Sequence, residues 1–536
     1  MLKLIDKFQI TSQQLIWVII LMLPFALFTN LGLMPLISDE PTRGIVSLEM
    51  MLSENYITPT INGEFYYNKP PLFNWILNVF MQLSDRQDEF ILRLPTIISL
   101  LLMGLVIFLL SKRTLGKSPA LLTSLMWITS ARILFWDSFQ GLIDITYSLV
   151  TLSSFALLYF YSKKDKWLLM FITTYLLAAA GYLMKGLPSI AFQGISLTAW
   201  LAYDKNFRKL FSWQHLAGIG VFVLITGAYY YAYLQNNSLN DVFATLFNQS
   251  NRINDKEGSF LSWASHLLTF PMEMIYEFAP WTILLLLFFN KKIRKATFDD
   301  SLIRFCMILF AANIIVYWVS ADMRPRYLFM LFPLLYIILA KAYSTSLKSP
   351  GVLTRIINIT LQILAFAGAL SLLLYLCWKE TNGLHGVWLV IPLLFIISIA
   401  AAVLMIKFRK LQMWFLIVIM LAVRISFNAF NLPARYKSYP DASYRAGEIK
   451  AGQMIKGTNT YILGDTPFNH DASFYISRES RQIITRTTEI SNNQAFYITN
   501  EKNLANFADA LKEYEIIHTF TIKLNETKLL LIKKPV

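Results

Sequence analysis

The chain has 536 residues, of which 56% are hydrophobic and 15% charged. Soluble globular chains carry about 25% charged residues, so this composition excludes an ordinary soluble fold and points to a protein built into a bilayer. The net charge of +15 is no sign of a nucleic-acid partner, because most Lys and Arg of the apolar part fall in short loops between hydrophobic runs, where charge sets topology.

In chain order the apolar runs read as about thirteen transmembrane helices, most near the roughly 20 residues that cross a hydrocarbon layer. Their limits are 14–36, 90–110, 118–135, 141–161, 167–184, 188–203, 212–234, 271–289, 302–320, 327–345, 352–376, 386–406 and 411–430. The first run, Leu15 to Leu36, lacks a small-residue cleavage site and is long enough to span, so it reads as a span and not a removable leader. Cys306 and Cys377 lie in or beside apolar runs and read as small buried hydrophobes, not a disulfide framework.

The loops between these runs separate by charge. One set carries Lys112, Arg113 and Lys117; Lys163, Lys164 and Lys166; Lys205, Arg208 and Lys209; Lys291, Lys292, Arg294 and Lys295; Lys341, Lys348 and Arg355; and Lys407, Arg409 and Lys410. The excess of positive charge puts that set, with Lys3 and Lys7, in the cytoplasm. The other set faces outward: the segments 37–89 and 235–270, the short loops between, and the tail. The transmembrane part is expected over 1–430. The polar tail, 431–536, reads as a small α/β domain. Its strand candidates are Tyr461-Ile-Leu-Gly, Ala495-Phe-Tyr-Ile-Thr and Lys528-Leu-Leu-Leu-Ile-Lys, with a helical stretch from Asn503 to Tyr514. An odd number of spans puts this tail outside.

The outward segments gather the chemistry. Asp39 follows directly on the first span, at the depth where a lipid headgroup sits, and Glu40 and Arg43 come next. Residues 44–53 have the spacing of a helix lying on the interface. Asn62-Gly63 reads as a tight turn, and Pro70-Pro71 stiffen the chain just after Lys69. Other outward loops add Asp137 and Asp144, Lys185, Arg252, and Arg324 and Arg326 before Tyr327. Charges near a span usually face a polar cavity or a partner. Carboxylates can take a proton from an acceptor hydroxyl or steady an oxocarbenium-like centre. Lysine and arginine can neutralise a departing phosphate, arginine bidentately. This set suits sugar transfer from a phosphate leaving group.

At these residues the sequence resembles a known family. Asp39-Glu40-x-x-Arg43, then Tyr66-Tyr67-x-Lys69-Pro70-Pro71-Leu72, then Glu89-Phe-Ile-Leu-Arg93-Leu-Pro95 is similar to the bacterial aminoarabinose transferases acting on lipid A and their relatives among the protein O-mannosyltransferases. The likeness covers roughly residues 10–345. It implies the large GT-C membrane fold, an undecaprenyl-phosphate sugar as donor, and transfer with inversion to a periplasmic acceptor by a multi-pass protein of the bacterial inner membrane. It implies Asp39 and Asp144 as catalytic residues, Lys69 as a phosphate contact, and Arg43, Arg252, Arg326 and Tyr327 as further donor-phosphate contacts. Glu40, Tyr67, Asn68, Asp137, Lys185 and Arg324 are candidate substrate-binding residues.

The chain departs from aminoarabinose transferases in two places. Asn68 stands where they usually have Glu, and no histidine falls in 255–262, the nearest being His266, which reads as a packed helix residue. These positions help hold a divalent metal in that subfamily, and Asn is a poor zinc ligand. No metal ligand is therefore assigned, although a divalent metal stays open as cofactor. The expected partners are a polyprenyl-phosphate sugar, a glycolipid (lipid A or another envelope glycolipid) or protein acceptor and membrane lipids, with no nucleic acid, and the expected state is a monomer. Transfer to Ser or Thr of a protein is the first alternative. A transporter or flippase is the second, disfavoured because the charges gather at one face and no internal repeat is visible.

Overall fold

The computed structural model describes residues 10–251, 260–320, 323–381, 383–490, 495–507 and 513–533. The chain forms a helical membrane part joined to a five-stranded sheet. Among the described residues eight helices are long and apolar enough to cross a membrane, with Glu89–Leu115, Ile143–Ser162, Trp167–Lys185 and Val387–Lys407 among them. A ninth span results if Lys117–Ile128 and Ala131–Phe139, bent by 51°, count as one. The remaining expected spans are shorter or broken helices, such as Ser12–Phe28, Pro188–Tyr203 and Phe332–Ser346, so the count of thirteen does not follow from helix length.

Local chemistry sets the helix limits. Glu89–Leu115 begins where Asp88 caps the Ile91 N–H at 3.1 Å. It ends at Gly116, whose φ of +87° suits only glycine, with Lys112 and Arg113 in the last turn complementing the helix dipole. The run expected as one span over 271–289 is two pieces, a helix Phe260–Glu277 and a 3₁₀ stretch Trp281–Phe289. Pro280 between them has no N–H to continue the ladder. The last apolar run passes through a π-helical turn, Phe427–Asn431, and continues as helix to Ser438, beyond the expected limit at 430.

The first outward segment folds onto the ends of these helices. It contains the helix Glu40–Ser53, a hairpin pairing Thr60–Ile61 with Glu64–Phe65, and the helix Leu72–Ser84. Asn62 and Gly63, with φ of +54° and +78°, make the hairpin turn. Glu49 binds that turn from below, accepting from Thr60 Oγ1 at 2.7 Å, Asn62 N at 2.6 Å and Gly63 N at 3.2 Å. Burial raises its pKa against these bonds.

In the tail the strand order is Thr485–Thr487, Thr460–Leu463, Phe496–Thr499, Lys528–Lys533, Glu515–Thr521. The first three run parallel and the last two join antiparallel. Helices Pro440–Met454 and His470–Ser480 pack together beside the sheet. Of the helical stretch expected over 503–514, the described residues give a short helix, Glu501–Leu504, then a 3₁₀ turn, Ala505–Phe507. Residues 508–512 lie outside the described set, and a strand starts at Glu515. The helix His470–Ser480 lies on Glu40–Ser53, and Phe474 and Tyr475 enter the same apolar core as the membrane helices. A side chain at Gly44 would meet Phe474 at 3.0 Å. The tail therefore sits on the side of the membrane part that carries the first outward segment.

Candidate active site

Asp39 stands at the N-cap position of Glu40–Ser53, but its carboxylate makes no cap bond. Its Oδ2 accepts instead from Arg326 Nη2 at 2.6 Å. The Asp39 side chain is 57% exposed while that of Arg326 is 9% exposed, so the carboxylate opens outward over a guanidinium fixed beneath it. Arg326 comes from the short turn Pro325–Leu328. Its Nε lies 3.5 Å from Asp144 Oδ2. Burial works against the Arg326 charge, but Asp144 and Asp39 outweigh it and raise the pKa.

Asp144 lies in the first turn of Ile143–Ser162, where the helix dipole favours a carboxylate. Its other oxygen is 2.5 Å from Lys185 Nζ, and Lys185 ends the helix Trp167–Lys185, where the dipole favours a cation. The Lys185 ammonium also lies 4.4 Å from the ring centre of Tyr327 and 5.2 Å from that of Tyr147, within cation–π range. The result is a row of alternating charges, Asp39–Arg326–Asp144–Lys185, drawn from four separate parts of the chain.

Lys69 and Arg43 border this row. Burial, then the charges of Lys185 and Arg43, push the Lys69 ammonium down from 10.5 to about 8, with Asp144 and Asp39 opposing. Arg43 donates to the Tyr66 hydroxyl and covers its ring at 5.3 Å. The Arg43 Nη1 is buried and has no protein partner, so the guanidinium keeps donor capacity in reserve. Beside it Thr42 Oγ1 meets His470 Nδ1 of the tail at 2.8 Å.

The other expected residues have different settings. Glu40 does not face the cleft: it is fully buried, with Arg93 bonded to both its oxygens at 2.8 and 2.9 Å. Its position one residue after Asp39 turns it inward along the helix. Asp137 is buried and paired with Arg132 at 2.9 Å, which also binds Glu277 at 2.8 Å. The Tyr67 hydroxyl accepts from Asn237 at 3.3 Å on the rim, and Asn68 and Arg324 are exposed. Arg252 lies outside the described residues. Residues given no site role from sequence are Tyr66 and Arg93, which the motifs contain, and Tyr147, Arg132 and Glu277. For Arg93 and Arg132 the signal was there to read, since a lone arginine within an apolar run requires a buried partner.

Among the described residues no group of three or more His, Cys, Asp and Glu could hold a metal ion. The ring of His266 packs beside Phe270, centroids 5.5 Å apart.

Residues 68–231 match the family described as dolichyl-phosphate-mannose-protein mannosyltransferase. The undecaprenyl phosphate-alpha-4-amino-4-deoxy-L-arabinose arabinosyl transferase of Edwardsiella ictaluri is 25% identical over 190 residues, 35% of this chain and 34% of that protein. The corresponding transferase 2 of Proteus mirabilis is 28% identical over 184 residues, 33% of each. These alignments span about a third of the curated relatives' length. The crystal structure of ArnT from Cupriavidus metallidurans bound to undecaprenyl phosphate superposes with a TM-score of 0.70 at 16% identity, covering 98% of both chains. The chain shares the fold of that structure over nearly its whole length, and residues 68–231 carry the likeness to the mannosyltransferase family. The likeness of fold extends through the tail sheet, and the family match includes Lys69, Asp137, Asp144 and Lys185.

Proposed function

We propose that this protein transfers a sugar from a polyprenyl-phosphate donor to an acceptor at the periplasmic face of the bacterial inner membrane, with inversion, and that the acceptor is lipid A or another envelope glycolipid. The observation that carries the reading is the meeting of Asp39, Arg43, Lys69, Asp144, Lys185 and Arg326 in one cleft. Two carboxylates against four cations leave a positive surplus that suits a phosphate. Lys69 lies within the field of Arg43 and Lys185, and the buried Arg43 Nη1 has no hydrogen-bond partner among the described residues, so this cationic side of the row is the part that meets the phosphate. Lys69, with a pKa near 8, is still mostly protonated at neutral pH.

The bond that breaks joins the anomeric carbon to a phosphate oxygen. The electron pair goes to the phosphate, where Lys69 and Arg43 stabilise the charge. The acceptor oxygen attacks from the opposite face, which inverts the centre. With a hydroxyl acceptor Asp39 takes its proton. With an acceptor phosphate, as in lipid A, no base is needed, and Asp39 orients the acceptor or steadies the positive charge developing at the anomeric carbon. Arg326 holds the Asp39 carboxylate for either task. Support comes also from the curated relatives, named as transferases using undecaprenyl phosphate, and from the tail packed beside the first outward segment.

Purified protein in lipid discs, given synthetic undecaprenyl-phosphate sugars with either lipid A or a Ser/Thr peptide, tests the reading by the mass gained on the acceptor. Gain on lipid A supports it. Gain on the peptide alone moves the assignment to protein O-glycosylation, the activity named in the matched family. No transfer to either acceptor, or equal transfer by Asp39→Asn protein, overturns the proposal.

A further inference from the structure

The segment that delivers Asp39 has no regular structure, yet it is tied down at nearly every residue. Arg93 donates to the carbonyls of Leu31 at 2.8 Å, Met34 at 3.0 Å and Pro35 at 3.0 Å. The same guanidinium forks onto both oxygens of Glu40. Glu40 Oε2 accepts from Ile37 N at 2.8 Å, and Oε1 accepts from Gly141 N at 2.6 Å. Both side chains are 1% exposed. Gly141 leaves no room for slack: a Cβ there would lie 2.7 Å from Leu92 O. Between the tethers Ser38 adopts φ of +58°, a left-handed conformation that non-glycine residues keep only when their surroundings impose it.

One buried carboxylate thus holds two chain segments. Asp39 precedes Glu40 directly, and Asp144 follows the Gly141 N–H by three residues. We propose that Glu40 and Arg93 are positioning residues that set the separation of Asp39 and Asp144, an inference that rests on reading those two carboxylates as the reacting centre. Neither touches substrate. They act by fixing the backbone on both sides of the cleft, while Lys69 and Arg43, held by other contacts, keep the donor phosphate.

Two variants test this. Glu40→Gln keeps the side-chain volume but offers one acceptor oxygen in place of two and leaves Arg93 without its anion. The double replacement Glu40→Met with Arg93→Met removes both charges, and exchange of a buried ion pair for apolar side chains is often tolerated by the fold. Hydrogen exchange comes first, because it needs no substrate. In the double variant amide exchange at Ile37 and Gly141 should accelerate together, ~10-fold or more for loss of a charged hydrogen bond, with the tail sheet unchanged, whereas Glu40→Gln, which keeps one acceptor, should release at least one of the two. The second readout is the fate of the donor in wild type and the double variant. Donor KM should stay unchanged while transfer to acceptor falls and hydrolysis by water persists, so the hydrolysis-to-transfer ratio rises. A merely smaller folded fraction lowers both products alike and leaves that ratio constant. In the folded double variant, unchanged protection at either amide, or a wild-type ratio, overturns the proposal. If the wild-type protein transfers no sugar, the reading of the reacting centre fails, and the exchange result still decides whether Glu40 couples the two segments.

Discussion

Replacing Lys69 by Met should stabilise the ligand-free protein and remove most of its response to donor. The ammonium has a folded pKa of about 8 against 10.5 in its ordinary state, so the folded chain disfavours its charge. At pH 7 that difference is a cost of ~3 kcal/mol. The sign follows from the depressed value: the cost is complete below about pH 8 and disappears as pH rises toward 10.5, where the unfolded chain also becomes neutral. A bound phosphate reverses the balance. An ammonium and a phosphate charge about 4 Å apart interact by roughly 4 kcal/mol at an effective dielectric of 20, so losing the ammonium should weaken donor binding on the order of 100-fold or more. The assay is thermal unfolding in lipid discs between pH 7 and 10, with and without undecaprenyl phosphate. Wild type should gain about 2.7 kcal/mol at 100 times the donor Kd, with affinity declining as pH passes 8. Lys69→Met should unfold later than wild type without donor, show less stabilisation on raising the pH, and gain no more than about 0.4 kcal/mol from the same donor concentration. A variant less stable than wild type at pH 7, or one stabilised by donor as much as wild type, would refute the reasoning.

The remaining expectations concern the cleft and its supports. Asp39→Asn should cut transfer by about 10²–10⁴-fold while Tm and the donor-induced shift stay near wild type, measured on purified protein by product mass. Glu89 is buried against Arg445 at 2.8 Å and the Tyr475 hydroxyl at 2.9 Å; Glu89→Ala strands those groups at a cost of about 3–5 kcal/mol, and limited proteolysis should then release the tail sheet faster. Gly63→Val places a branched side chain at φ +78° with its Cβ 2.7 Å from Thr485 Cγ2. It should lower stability by at least ~1 kcal/mol, seen as an earlier unfolding midpoint.

The spans could be read from the sequence because a run of apolar residues long enough to cross hydrocarbon has few other fates. Prediction faltered where backbone chemistry interrupts such a run, as at Pro280. In the tail the strands Thr460–Leu463, Phe496–Thr499 and Lys528–Lys533 were visible as short apolar runs. The strand Glu515–Thr521 was hidden because it is a largely exposed edge strand whose polar and apolar residues do not alternate. The charges of the cleft were legible one at a time, each beside the end of an apolar run. Their pairing was not: Asp39 and Arg326 are 287 residues apart, and only folding decides that they meet.

Asp39 and Glu40 show the limit most clearly. They are adjacent, both acidic, and indistinguishable to a reading that counts charges near a membrane. One opens to the outside at 57% exposure, and the other is 1% exposed. Consecutive residues at a helix start are separated by about 100° around its axis, so when one faces the cleft its neighbour must face the bundle. A carboxylate turned into the bundle survives only with a cation and enough donors to satisfy both oxygens. Arg93, Ile37 N and Gly141 N supply them. The inward carboxylate therefore requires a partner on another helix, and that requirement is what docks the loop bearing Asp39 against the helix start bearing Asp144. The same pair of residues presents one carboxylate outward and fastens the chain behind it with the other.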